Sequence, residues 1–215
     1  MKCICLIFIL FQTELFAQIS PGPRSLSMGS AGVALKDVWS LQHNSAGISE
    51  IRRPIVALGY ERHFSDQDLS TQKAVFVIPF KQHVFGLSFH RYGFSEYSEQ
   101  TAGIAYSRNF SGVLALSIML KYHQLSIYKY GSSSAVSVDA GMQYRINDRL
   151  WIGTHISNPS NSRFQDLLGS AIPLSLSFGV SFEFSDKVLV ISDIYMVLNA
   201  AIDTKLGLEY RLIKW

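Results

Sequence analysis

The chain has 215 residues, of which 48% are hydrophobic and 16% are charged, and its formal net charge is +3. This length fits one domain, and a small, dispersed positive charge argues against a nucleic-acid-binding protein. After residue 11, no apolar run approaches the ~20 residues of a membrane-spanning helix, which excludes a helical-bundle membrane protein and leaves a β-barrel open.

Residues 1–17 have the pattern of a secretory signal peptide. A lysine at position 2 precedes an apolar stretch over residues 3–11, and residues 15–17 (Leu-Phe-Ala) offer a cleavage site. Cys3 and Cys5, the two cysteines of the chain, both lie inside this segment. We therefore expect the mature protein to contain neither a disulfide bond nor a cysteine-ligated metal.

Residues 18–50 differ in composition from the rest of the chain and are predicted to form an N-terminal plug or periplasmic segment. Residues 25–34 are rich in small side chains, which allow the close backbone approach that a segment tucked inside a barrel needs. Asp37 is placed to cap a short helix over residues 38–42, and a second helical turn is expected over residues 48–51.

Residues 51–215 are predicted to form an outer-membrane β-barrel. The alternation of apolar and polar residues indicates about ten strands: 54–63, 72–80, 83–91, 99–109, 112–126, 133–146, 149–157, 172–184, 187–197 and 203–214. Turns expected to be short lie at 81–82, 109–111, 147–148 and 185–186, and longer connections at 64–71, 92–98, 127–132, 158–171 and 198–202. Short turns at one end and longer loops at the other are typical of periplasmic turns and extracellular loops.

One short sequence motif, a glycine followed three residues later by an aromatic residue, recurs along the predicted strands. Its glycines are Gly103, Gly141, Gly179 and Gly207, spaced 38, 38 and 28 residues apart. Its aromatic residues are Tyr106, Tyr144, Phe182 and Tyr210. Such self-similarity indicates a reused hairpin unit. The aromatic residue lies on the apolar face near a short turn, where an interfacial girdle belongs, and the glycine lies on the lumen face, where a packed element can approach.

The two faces of each predicted strand differ sharply. In 172–184 one face is wholly apolar and runs from Ile172 to Phe184, whereas the other carries small or polar residues. The sequence therefore predicts an all-β, antiparallel up-and-down transmembrane β-barrel with a short, partly helical N-terminal plug segment. A soluble β-sandwich is the alternative, and the nearly continuous apolar face favours the barrel.

Polar residues on the lumen face are expected to form one network in which opposite charges pair. They are Lys121, His123, Asp139, Arg145, His155, Glu183, Asp193, Glu209 and Arg211. The alternative is a hydrolase site built on the lumen histidines. A polar network explains the same residues more simply. The six histidines show no metal-ligand spacing. We therefore predict no enzyme, no catalytic residue, no metal site and no cofactor.

Two predicted loops are aromatic and apolar enough to bind a ligand. They are residues 92–98, with Tyr92, Phe94 and Tyr97, and residues 158–171, with Phe164 and two leucines. The alternative is that they fold over the barrel mouth or lie at the membrane interface.

The N-terminal sequence resembles the PorV/PorQ family, whose members are outer-membrane barrels related in fold to FadL fatty-acid transporters. The matching residues are Gly22, Arg24, Leu26, Met28, Gly29, Ala31, Asn44, Ala46 and Gly47. The chain departs from the family pattern at Ser45, where the family has proline, and about ten strands are fewer than the family's usual fourteen. The resemblance implies a plug over residues 18–50 and a location in the outer membrane of a Gram-negative, Bacteroidetes-type bacterium. It also implies outer-membrane lipid and type IX secretion components or secreted cargo as partners.

Two further functions stay open. A FadL-like channel for hydrophobic small molecules requires an apolar pocket in the lumen near the plug, whereas the lumen face reads as polar. A barrel enzyme that modifies lipids is the third hypothesis.

Overall fold

The computed structural model describes residues 22–62, 69–164, 171–198 and 200–212. The predicted signal peptide, His63 and most of the predicted loop 64–71 lie outside the described residues. The two leucines of the predicted loop 158–171 also lie outside them.

Ten antiparallel strands form one sheet in which each strand pairs with its neighbours in sequence. They are β1 (Ile55–Arg62), β2 (Ser70–Phe80), β3 (His83–Gly93), β4 (Tyr97–Phe110), β5 (Leu114–Ile127), β6 (Gly131–Asn147), β7 (Leu150–Ser157), β8 (Ser175–Ser185), β9 (Val188–Val197) and β10 (Asp203–Tyr210). The predicted all-β, up-and-down architecture is thus confirmed. Among the described residues β1 and β10 do not pair with each other, so the sheet is not closed.

Two connections predicted to be long are short. Residues 94–96 and 128–130 are connections of three residues, and not the longer loops 92–98 and 127–132. The flanking strands stay paired beyond their apolar part, as far as Gly93 opposite Ser98 and Ile127 opposite Gly131. Backbone hydrogen bonds do not depend on apolar side chains, so the pattern ends before the strand does.

The predicted strand 172–184 begins too early. β8 starts at Ser175, and Ile172 is buried instead of facing outward. The carbonyl oxygen of Ile172 accepts a 2.7 Å hydrogen bond from the Asn158 side chain, and its amide donates to the carbonyl oxygen of Ser162 at 3.1 Å. Residues 171–174 therefore fold back on the long connection between β7 and β8.

The sheet is apolar outside and polar inside. On β5, the outward side chains from Leu116 to Tyr122 at every second position expose 41–54% of their area, whereas the intervening Lys121 exposes 8%. Buried serines, lysine, histidine and aspartate line the inner face along the other strands. A soluble sandwich buries its apolar face, so this distribution supports a lipid-facing exterior.

The aromatic residues of the repeat lie outward near the short turns, as predicted. Tyr144, Phe182 and Tyr210 are exposed. The hydroxyl group of Tyr106 lies 2.7 Å from Nδ1 of His83, at the short-turn end of β3.

The N-terminal segment, residues 22–50, lies against the inner face. It contains α1 (Pro23–Ser27) and two 3₁₀ helices, Val38–Gln42 and Ser45–Glu50. Asp37 caps the first, as predicted: its carboxylate accepts from the Ser40 amide, and its own amide donates to the Ser40 hydroxyl. The second begins earlier than predicted because the Asn44 side chain caps it through the Ala46 amide at 3.1 Å. None of the described helices has the length and hydropathy needed to cross a bilayer.

The apolar core lies between this segment and the sheet. Leu41 and Ile48 of the 3₁₀ helices pack against Val75, Val77, Val84, Ala105 and Met119 of β2 to β5. This core lies in the half of the sheet that carries the short turns, which we call the short-turn end, and the opposite half is the loop end.

Candidate functional site

Three of the four repeat glycines mark where the N-terminal segment touches the sheet. A methyl group added at three of them would collide with this segment: Gly141 with Asn44, Gly179 with Val33 and Gly207 with Met28. At Gly103 it would instead meet the side chains of Met119 and Ser88. The lumen-face glycines therefore provide the close approach expected from the sequence.

Asn44 fixes the middle of the N-terminal segment to β6 and β7. Its fully buried Nδ2 lies 2.8 Å from the carbonyl oxygen of Val33, 3.0 Å from that of Met142 and 3.2 Å from that of Thr154. Gln143 adds a second tie, because its Nε2 donates to the carbonyl oxygens of Val33 at 3.1 Å and Leu35 at 2.8 Å. Strand carbonyl groups and inner-face side chains thus hold the segment in place.

Asp193 holds the same turn of the segment from β9. Its Oδ2 accepts hydrogen bonds from the backbone amides of Gly32 at 2.5 Å and Val33 at 3.0 Å. The side chain is almost fully buried. A carboxylate that accepts two amide hydrogen bonds in such a place is a strong anchor, because charged acceptors form stronger bonds than neutral ones.

Arg24 links α1 to the last strand. Its guanidinium lies 2.8 Å from Glu209 and 2.9 Å from Asp37, and Glu209 also contacts Arg211 at 3.0 Å. Burial opposes the charge of Arg24, yet the hydrogen bonds to Glu209 and Asp37 outweigh it and raise the pKa of Arg24 above its ordinary value. This group lies at the short-turn end of β10.

The remaining residues of the N-terminal motif are explained by burial, by backbone conformation or by close backbone contacts. Met28, Ala31 and Ala46 are buried, Leu26 is exposed, Gly22 and Gly29 have φ angles of 93° and 65°, and Gly47 lies against the Leu35 carbonyl oxygen. Gly22 lies against Trp39, whose indole also reaches Gly59 of β1. Neither Trp39 nor Gln143 was predicted as a site residue, although the alternation of faces places Gln143 on the inner face.

Asp139 of β6 organises the polar residues above the segment. It is fully buried, and its Oδ2 lies 2.6 Å from Nζ of Lys121 and 3.4 Å from Nε2 of His155. Its Oδ1 accepts from the Ser157 hydroxyl at 2.9 Å and from the Asn158 amide at 3.2 Å. The carboxylate therefore accepts two hydrogen bonds through Oδ1 and forms a neutral ion pair with Lys121 through Oδ2.

His123 belongs to the same region and contacts two hydroxyl groups. Its Nε2 lies 2.8 Å from the Ser137 hydroxyl and its Nδ1 lies 3.3 Å from Oγ1 of Thr101. Ser137 is 1% exposed. Within the described ranges, no three histidine, cysteine or acidic side chains come together as a metal site.

The nine predicted lumen residues fall into separate groups instead of one network. Lys121, His123, Asp139 and His155 lie together, Asp193 anchors the N-terminal segment, and Glu209 with Arg211 joins Arg24. Arg145 lies 3.7 Å from Asp148 in the turn after β6, and Glu183 lies near the end of β8. The groups lie at different heights along the strands. The alternation of faces predicts which side of the sheet a residue faces, but not which residues at that face lie close together.

A chamber of about 460 Å³ lies at the loop end of the inner face. Aromatic and apolar side chains form one part of its wall: Tyr97, Leu125, Phe164, Ile172, Pro173 and Val197. His90, Thr101, Lys121 and His123 form another part. Two predicted loop residues, Tyr97 and Phe164, thus border a space large enough for a small ligand.

A second cavity of about 120 Å³ lies between the chamber and the N-terminal segment. The two cavities share Lys121, Ser157, Ser175 and Tyr195 as wall residues. Ser30, Val33, Gln42 and His43 of the N-terminal segment line the smaller one. The segment therefore forms the floor of a two-part space whose upper part has a partly apolar wall.

The up-and-down sheet, its apolar exterior and its filled inner face define an outer-membrane type of β-barrel protein. Among solved structures, the CymD monoaromatic hydrocarbon channel is similar, with a TM-score of 0.59 and 12% identity over 94% of this chain and 78% of that chain. The Ralstonia pickettii toluene transporter TbuX has a TM-score of 0.58 and 12% identity over 92% of this chain and 81% of its own. The Pseudomonas putida toluene transporter TodX has a TM-score of 0.56 and 12% identity over 87% of this chain and 75% of its own.

At this identity the similarity establishes the fold. No protein-family model matches the chain, and no curated protein matches it. The comparisons support the β-barrel and do not extend to the narrower PorV/PorQ resemblance.

Proposed function

We propose that this protein is a non-enzymatic channel for small hydrophobic molecules in the outer membrane of a Gram-negative bacterium. The chamber of about 460 Å³, with its aromatic and apolar wall, carries this proposal. A hydrophobic-molecule channel was expected to have an apolar lumen pocket near the plug, whereas the partly apolar chamber lies at the loop end and the cavity that borders the plug is mainly polar. Residues 22–50 act as the plug that closes the short-turn end below this chamber.

The outer face supports the membrane location. On β5 the apolar outward positions run from Leu114 to Tyr122, a stretch of nine residues. The polar residues Gln124, which also borders the chamber, and Ser126 follow at the same spacing. A transmembrane β-strand needs about 9–11 residues. The band thus has the length that a bilayer requires and ends in polar residues.

The printed descriptions of the similar structures agree with this function. CymD is a monoaromatic hydrocarbon channel, and TodX and TbuX are toluene transporters. Because identity is 12%, they support the substrate class only together with the chamber.

A type IX secretion role, suggested by the PorV/PorQ resemblance, has weaker support. Asn44, Met28 and Gly29 of the resembling motif contact β6, β7 and β10, and Arg24 pairs with Glu209. Holding the segment inside the sheet explains these residues without a secretion partner. The same contacts give no support to a lipid-modifying enzyme.

The test is uptake of ethylbenzene by cells that express the full chain with its own first 17 residues. Val197 faces the chamber, and its neighbour Leu198 is exposed, so Val197→Trp and Leu198→Trp form a matched pair. We expect uptake with the unchanged chain and with Leu198→Trp, and loss of uptake with Val197→Trp.

Equal uptake by all strains, including cells without the protein, would refute the channel. Loss of type IX cargo secretion on deletion of the gene, with normal ethylbenzene uptake, would establish the secretion role in its place. Separation of boiled and unboiled outer-membrane samples on a gel checks that each variant has folded.

A further inference from the structure

We infer that the preferred ligand is a small aromatic molecule with one neutral oxygen group, such as a phenol, an aromatic alcohol or a ketone. This inference rests on the proposed channel function and narrows its substrate class. The main evidence is the position of Lys121, which borders both the chamber and the smaller polar cavity beneath it.

The two cavities have different chemistry, and a ligand that fills the space experiences both. The loop-end wall offers Phe164, Ile172 and Pro173 to an apolar ring. The smaller cavity offers the polar side chains of Gln42, His43 and Ser177. The side-chain nitrogen of Gln42 is buried and makes no hydrogen bond to the described residues. A pure hydrocarbon adds no hydrogen bond in this polar part, whereas a ring with one polar group matches both parts.

Lys121 is placed to receive the polar group where the cavities meet. An ammonium group has three N–H donors, and Asp139 lies 2.6 Å from Nζ on the side away from the cavities, since Asp139 lines neither of them. Tyr195, another residue shared by both walls, carries a hydroxyl group, which is both a donor and an acceptor.

The charge balance selects a neutral group over a carboxylate. Lys121 and Asp139 together carry no net charge, and neither do Asp193 and Lys205, the acid and the base that also line the smaller cavity. A carboxylate bound to Lys121 would introduce a further negative charge beside the buried Asp139. Like charges at short range in a poorly solvated site repel strongly. A hydroxyl or carbonyl oxygen accepts a hydrogen bond from Lys121 without this cost.

The experiment compares three probes with the same skeleton: ethylbenzene, 4-ethylphenol and 4-ethylbenzoate. Equilibrium dialysis against the full chain in lipid nanodiscs, with protein-free nanodiscs as the blank, measures their dissociation constants. We expect 4-ethylphenol to bind about tenfold more tightly than ethylbenzene, the value of one hydrogen bond to a charged donor, and 4-ethylbenzoate to bind most weakly.

Paired variants locate the oxygen group. Lys121→Met combined with Asp139→Leu removes both charges at once, so neither is left buried alone. We expect this variant to bind ethylbenzene as before and to lose the preference for 4-ethylphenol. The control is Lys73→Met with Glu61→Leu, which removes another inner-face pair, 3.4 Å apart, that lines neither cavity. The control keeps the preference.

The outcomes separate this inference from the channel proposal. If ethylbenzene binds and 4-ethylphenol binds no more tightly, or 4-ethylbenzoate binds best, the inference is overturned and the channel stands. If the preference survives in the Lys121 variant, the oxygen group does not bind at Lys121 and the inference is also overturned. If no probe binds and uptake of ethylbenzene is absent, both proposals fail. The ranking on the unchanged protein decides the question even if a variant does not fold.

Discussion

The carboxylate of Asp193 accepts a 2.5 Å hydrogen bond from the backbone amide of Gly32, which lies 161 positions earlier in the chain. The same oxygen accepts from Val33 at 3.0 Å. This contact joins the N-terminal segment to β9 in the wall of the smaller cavity, which Val33 and Asp193 both line. It therefore links the closure of the short-turn end to the strength of a few buried polar contacts.

Replacing Asp193 by alanine should loosen the N-terminal segment. Two buried amides lose their acceptor, which costs about 1.5–3 kcal/mol when the acceptor is charged. Asp193→Asn should have a smaller effect, because the amide oxygen still accepts. The measurement is trypsin cleavage after Arg24 or Lys36 in folded protein, which should become faster in the order unchanged chain, asparagine, alanine.

The control for this prediction is Asp148→Ala. The Asp148 side chain is 98% exposed and lies 3.7 Å from Arg145. Its cleavage rate should match that of the unchanged chain. If trypsin cleaved Asp193→Ala no faster than the unchanged chain, Asp193 would not anchor the segment.

Gly153→Ala should destabilise the protein more than Gly103→Ala. A methyl group at Gly153 would collide with the backbone carbonyl of Val33, whereas at Gly103 it would meet the mobile end of the Met119 side chain and the Ser88 hydroxyl. Overpacking against atoms that cannot move costs about 1–3 kcal/mol. The midpoint temperature of the heat shift on gels compares the two, and an equal change would contradict the packing of Val33 on β7.

The Arg24–Glu209 pair should contribute modestly to stability. Its atoms are 2.8 Å apart, but the two side chains are 32% and 24% exposed, so solvent screens the attraction. A double-mutant cycle with Arg24→Met and Glu209→Gln should give a coupling of about 0.5–1 kcal/mol that shrinks at high salt. A coupling independent of salt would contradict the partly exposed ion pair.

Arginine should be tolerated at one outward position of β5 and not at another. Leu120→Arg lies within the apolar band, where charge in lipid costs about 2–4 kcal/mol, whereas Ser126→Arg lies beyond it, where the cost is about 0–1 kcal/mol. Heat-shift midpoints in lipid measure the difference. Equal midpoints would indicate that water, and not lipid, surrounds the outer face.

The strands, their order and their faces could be predicted because a period of two is a local property of the chain. The helix cap at Asp37 could be predicted for the same reason, since its partner Ser40 lies three residues away. The predicted strand ends were wrong where the apolar alternation stops but backbone pairing continues, as far as the pairs Gly93–Ser98 and Ile127–Gly131. They also failed at Ile172, which follows the alternation yet is held inside by Asn158.

The sequence by itself therefore determined an all-β sheet with an apolar outer face, and it marked glycines at which another element approaches. Only the tertiary structure decided which residues of the N-terminal segment meet these glycines and that Asp193 binds Gly32. It also decided that Lys121 lies between two cavities. These contacts join residues roughly 100 or more positions apart, as Asn44 and Met142 are at 98, so no local pattern records them. Their physical origin is the curvature of the whole sheet around one short segment, which exists only after all strands have paired.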